Sequence, residues 1–192
     1  MRWRTRPISL RLTPFLPDSI YFIDTSAFSG CTKLKKDLKL NNANLKKIPN
    51  NAFNGDPITS VDFGCCPIEI IGSGAFGSCT SLKRVVLGGK DPVSLAGTTN
   101  VGIFEGSGVR DVELGDGVSS TGAYLFHNCS SLTNAVLGVG LASLSDRTFT
   151  SCSKLKTLVF RGFPTNNAGS AFPSWSDYQT LFIVPKENAG WQ

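Results

Sequence analysis

The chain has 192 residues, 41% of them hydrophobic and only 17% charged, with 20 glycines and a net charge of +5. That length supports one substantial core. The charge content excludes a disordered acidic segment or a charged helical bundle, and no run approaches the roughly 20 apolar residues of a membrane-spanning helix. The charge is uneven, because residues 1–50 hold ten Lys or Arg and three Asp, a balance of +7 that leaves −2 for the remainder.

The first segment, "MRWRTRPISLRLTPFLPDS", carries four arginines ahead of its first acid, Asp18. It lacks the continuous apolar stretch of a secretory signal, and Pro7, Pro14 and Pro17 interrupt any amphipathic helix. Residues 1–22 are expected to be a leading cap or extension, 23–185 the folded body and 186–192 a tail.

From residue 27 onward one phrase recurs. A Phe follows a small or apolar residue at Phe28, Phe53, Phe76, Phe104, Phe126, Phe149 and Phe172, in steps of 25, 23, 28, 22, 23 and 23 residues. Three residues after the Phe stands Cys31, Cys79, Cys129 or Cys152, with Asp56, Ser107 or Trp175 in the other units. An apolar triplet follows: Leu34, Leu38, Leu40; Ile58, Val61, Phe63; Leu82, Val85, Leu87; Val109, Val112, Leu114; Leu132, Ala135, Leu137; Leu155, Leu158, Phe160; and Tyr178, Leu181, Ile183. Ile23, Ile48, Ile71 and Leu144 sit four residues before the small residue, and Thr99 and Thr121 stand where an Ile is expected. Residues 90–101 read as an insertion.

Such a period means coils that cannot bury an apolar side alone and do so by stacking. The last two triplet positions alternate, as a strand requires, so Val85 and Leu87 point inward and Arg84 and Val86 outward. The expected fold is a solenoid of about seven coils of ~23 residues, with parallel strands on one face, short turns or 3-10 segments on the other, and little α-helix.

The pattern in "IGSGAFGSCTSLKRVVLG", 71–88, resembles the BspA-type leucine-rich repeats, and the likeness extends over roughly 23–185. The ending "LFIVPKENAGW" is similar to the way arrays of that family finish. The resemblance implies a cell-surface or secreted protein that works in adhesion and protein interaction.

Four cysteines share one repeat position and are expected to pack inward as small apolar groups. Cys65 and Cys66 have no zinc-type spacing, so no metal or cofactor is assigned. His127 lies two residues before Cys129 and suggests a Cys–His pair, but Cys129 is expected in the core and His127 in an exposed turn. Asn128-Cys129-Ser130 is a glycosylation sequon that overlaps a buried position. No phosphate loop, nucleophile elbow or zinc-protease motif occurs, and the chain is read as a non-enzyme.

Repeat solenoids bind through the outward residues of their strands. The expected partner-binding strip comprises Arg84, Val86, Asp111, Glu113, Asn134, Val136, Thr157, Val159, Thr180 and Phe182. Val136, Val159 and Phe182 would form its apolar centre, with Arg84, Asp111 and Glu113 steering an unknown protein partner. The alternative uses the basic residues of 1–50 against an anionic surface or nucleic acid. Their lysines are not interleaved with aromatic side chains that stack on bases, which disfavours nucleic acid.

Overall fold

A computed structural model describes residues 20–34, 37–39, 44–63, 68–89, 91–95, 101–162, 164–167, 170–172 and 181–183. The short Val, Ile and Leu runs form strands because their alternating side chains can be covered only from one side. Seven of these strands, β1 (Asp37–Lys39), β3 (Ser60–Asp62), β5 (Arg84–Leu87), β7 (Asp111–Leu114), β8 (Asn134–Leu137), β10 (Thr157–Phe160) and β12 (Leu181–Ile183), form one parallel sheet in chain order. Every neighbour in space is thus the neighbouring coil in sequence. No α-helix occurs among the described residues.

A second, shorter ladder runs along the opposite side of the coils. It contains β2 (Lys47–Ile48), β4 (Ile70–Ile71) and β6 (Ser94–Leu95), then β9 (Ser143–Leu144) paired with β11 (Asn166–Asn167). Ile48, Ile71 and Leu95 are register partners, so Leu95, not Thr99, takes the place expected for an Ile in the fourth coil. The extra residues therefore follow β6. Thr121 does occupy that place in the fifth coil. It is buried, 2.9 Å from the Thr148 hydroxyl, and it accepts the Ser145 N–H at 3.0 Å. Polar groups are tolerated there because each finds a partner.

The phenylalanines form a single column. Ring centroids from Phe28 through Phe53, Phe76, Phe104, Phe126 and Phe149 to Phe172 step by 5.1, 5.3, 5.4, 5.5, 5.7 and 5.9 Å, with planes within 16° of parallel. Each Phe from Phe28 to Phe149 donates its N–H to the carbonyl of the residue before the next ring, as Phe76 does to Ile103 at 2.9 Å. The column faces Val61, Val85, Val112, Ala135 and Leu158, all buried, across the core. Two residues after the ring the backbone is left-handed: Gly30, Gly55 and Gly106 fill this place, and so do Ser78, Asn128 and Ser151 at φ 54°, 58° and 62°. That kink turns the next residue, the cysteine position, back into the core.

The first and last coils depart from expectation. Cys31 is exposed, whereas Cys79, Cys129 and Cys152 are buried. In the last coil Thr157, Leu158 and Val159 pair with Leu181, Phe182 and Ile183. Phe182 therefore stands in the register column of Ala135 and Leu158, and Ile183 is the neighbour of Val159. The cause is spacing: ten residues separate Phe172 from Phe182, against nine between Phe149 and Leu158. Of the expected cap only residues 20–22 are described, and Thr180 and 186–192 lie outside the described residues.

Candidate strand-face interaction site

Parallel register converts the strand alternation into two outward rows. One row contains Ser60, Arg84, Asp111, Asn134 and Thr157, and the other contains Asp62, Val86, Glu113, Val136 and Val159. Eight of the ten expected strip residues are thereby brought together on one face. The inward partners Val85, Leu87, Val112, Leu114, Ala135, Leu137, Leu158 and Phe160 are buried, which fixes the direction of the outward set.

The rows are organised by charge. Arg84 and Arg161 reach Glu113 from opposite sides, with N···O distances of 3.6 and 3.3 Å. The Asn134 amide donates to Asp111 Oδ1 at 2.7 Å. These groups are exposed, and such pairs contribute only about 0–1 kcal/mol each. Their consequence is orientation: both guanidinium groups are held over the sheet.

Beneath them lies a shallow concavity of about 360 Å³, walled by Asp62, Arg84, Glu113, Asp116 and Arg161 and floored by Val86 and the backbones of Gly88, Gly89 and Gly115. Arg161 was absent from the sequence-based strip because it follows β10, outside the repeating alternation. Its length lets it reach back two rungs. Beyond Glu113, Val136 and Val159 stand on adjacent rungs as half-buried apolar neighbours.

Away from the strand face, three thiols lie in the core and the histidine in the turn after Phe126. Cys79, Cys129 and Cys152 each donate Sγ–H to the carbonyl of a preceding coil's ring residue, Phe53, Phe104 and Phe126, at 3.1 Å. Burial pushes the Cys79 and Cys129 thiols up to about 12. His127 is half-buried rather than exposed. Its Nδ1 lies 2.9 Å from Glu105 Oε1, and its ring meets Tyr124 edge-on. The two side chains turn to different partners, and a protonated core thiol is no nucleophile. Among the described residues no group of three His, Cys, Asp or Glu side chains converges as a metal site, and no helix is long and apolar enough to cross a membrane. Of the basic residues near the start, Lys46 pairs with Glu69 at 3.2 Å, and Lys33 and Lys47 are exposed.

The profile of the BspA type leucine rich repeat region matches residues 12–94 and 97–187, in six copies. No curated protein matches the chain. Among solved structures, a leucine rich cell surface protein from Faecalibacterium prausnitzii A2-165 is similar at 15% identity and a TM-score of 0.38, over 92% of this chain and 60% of that one. The chain thus spans about three-fifths of that neighbour's length. A leucine-rich repeat protein from Bacteroides ovatus ATCC 8483 is similar at 16% identity and a TM-score of 0.21, over 88% and 74%.

Proposed function

The chain belongs to the BspA-type leucine-rich repeat family, and from that premise we propose that it is a non-enzymatic interaction module that captures a protein partner on its strand face. The observation that carries this reading is the pairing of Val136 with Val159 on successive outward rungs. Neighbouring apolar side chains on a sheet otherwise studded with charge suit the centre of a contact, with polar residues as its rim. Ile183 extends the same row by register. Arg84, Asp111 and Glu113 steer the partner, and Asn134, Thr157 and Val86 complete the strip, which Arg161 joins through Glu113. Family membership further supports display at a cell surface or secretion, with adhesion as the biological use.

The test uses the parent chain and Val159→Lys as paired baits in surface extracts of the producing organism. Val159 is outward, so the variant should melt with the parent. Proteins retained by the parent and lost by the variant are expected. Identical retention by both would remove the strand face from the account.

A further inference from the structure

A different column runs along the sheet beside the outward rows. Just before the strands, Lys83 donates its N–H to the Thr59 carbonyl at 2.8 Å. Arg110 then donates to Lys83, Thr133 to Arg110 and Lys156 to Thr133, each at 2.9 Å. These bonds place Thr59, Lys83, Arg110, Thr133 and Lys156 on five consecutive rungs. Rungs are about 4.8 Å apart, so the cations from Lys83 to Lys156 span about 14 Å.

All three cations are exposed, and none takes part in the ion pairs among the described residues. No acid occurs in the column. Over the rungs from Lys83 to Lys156 the adjoining row adds Arg84 and one acid, Asp111, whose Oδ1 is already taken by Asn134; Asp37 belongs to the same row two rungs before Arg84. The other carboxylates of this face, Asp62, Glu113 and Asp116, lie toward the exit ends of the strands. The sheet is therefore polarised across its width, basic where the strands enter. Like charges on adjacent rungs, Lys83 and Arg110, repel each other, and an anion laid over them relieves that repulsion.

We infer that this entry edge, Lys83, Arg110 and Lys156 with Arg84 beside them, binds a linear acidic polysaccharide lying across the strands. The groups interleaved with the cations decide the class. Thr157 supplies a hydroxyl and Asn134 an amide oxygen that match sugar hydroxyls, while the Thr133 hydroxyl donates to the Arg110 carbonyl at 3.0 Å and accepts from the Asn134 amide at 3.2 Å. No aromatic side chain stands in either column to stack a base. The backbone groups of the face are spent on the sheet, so an acidic peptide gains no strand pairing there. The site shares Arg84, Asn134 and Thr157 with the strand-face strip but not its apolar centre, Val136 and Val159.

Polygalacturonate is the probe, with poly-L-glutamate and neutral dextran as comparison arms, and the full chain is titrated against each across a salt series. Polygalacturonate should bind with steep salt dependence, and neutral dextran should not. The variant Lys83→Ser/Arg110→Ser/Lys156→Ser should lose at least about tenfold in affinity, and its salt slope should fall by about two to three. The equally discharged Lys33→Ser/Lys46→Ser/Lys47→Ser chain should bind as the parent. Acetylation of the parent gives a readout free of any folding change: polygalacturonate should shield Lys83 and Lys156 and leave Lys46 and Lys47 reactive. No binding, equal loss in the control variant, unshielded Lys83 and Lys156, or poly-L-glutamate binding as tightly would each overturn the assignment.

Discussion

Asp56 Oδ1 accepts the backbone N–H of Cys31 at 2.7 Å across the junction of the first two coils, while its Oδ2 is buried with no hydrogen-bond partner among the described residues. Asp56 fills the position that holds cysteine in other coils and is 1% exposed. Burial raises its carboxyl to about 6, against the opposing pull of the Cys31 and Gly30 N–H groups. The unfolded carboxyl titrates near 4. An acid raised by folding adds stability below about pH 4, and that contribution is lost as pH rises through about 6. Asp56→Asn should therefore be more stable than the parent at pH 7.5, by about 2 kcal/mol, with the gap closing at pH 4. Urea unfolding at both pH values checks this, and a variant no more stable at pH 7.5 would show that the buried oxygen costs nothing.

The thiols should divide by depth. Cys31 is exposed, whereas Cys79, Cys129 and Cys152 are buried and protonated at neutral pH. Of the four described cysteines, iodoacetamide with peptide mapping should modify Cys31 first and reach the other three only on unfolding; Cys65 and Cys66 lie outside the described residues. Native-state labelling of Cys129 at the rate of Cys31 would contradict the inward packing of that column.

Phe76 lies between Phe53 and Phe104 at 5.3 and 5.4 Å and also meets Phe63, tilted, at 5.9 Å. Phe76→Ala leaves a void that coils on both sides must span, because rings above and below cannot slide into it. A loss of about 3–5 kcal/mol in denaturant unfolding is expected, with Phe76→Leu costing less. Parent-like unfolding of the alanine variant would mean that the stack does not hold adjacent coils together.

Coil spacing is set partly by what the turns leave out. A Cβ on Gly115 would sit 1.4 Å from the Gly88 carbonyl oxygen of the preceding coil. Gly115→Ala must push two backbones apart and break the Gly115 N–H to Leu87 carbonyl bond of 2.7 Å. A destabilisation of at least about 1–3 kcal/mol is expected, seen as a lower melting temperature or loss of soluble protein. An alanine variant melting with the parent would contradict this close approach.

The ring column, the strand register of the first six coils and the outward rows were legible in the sequence, because each coil restates the same spacing from Phe to strand. What escaped it obeys other rules. Leu45, Ile68, Val118 and Leu141 are buried three residues before Ile48, Ile71, Thr121 and Leu144. Apolar residues three and then four apart look like a helix face, although here they line a bend and a two-residue strand. In the last coil "YQTLFIV" allows alternation through Leu181 and Ile183 or through Phe182, and the pattern alone does not choose between them. Serine and asparagine in left-handed turns at Ser78, Asn128 and Ser151 carry no glycine signal. The second arginine on Glu113 was invisible because Arg161 acts through its reach, not its place in the repeat.

Both binding surfaces require the coils to stack in one unbroken register, which a distance between rungs measures directly. Ser60 and Thr157 lie in the same outward row, four rungs apart. Nitroxides introduced there through non-natural amino acids leave the six native cysteines untouched. Pulsed electron paramagnetic resonance should give one narrow distribution centred near 20 Å, set by rungs of about 4.8 Å. A broad distribution, or a separation well beyond 30 Å, would mean that no continuous face exists.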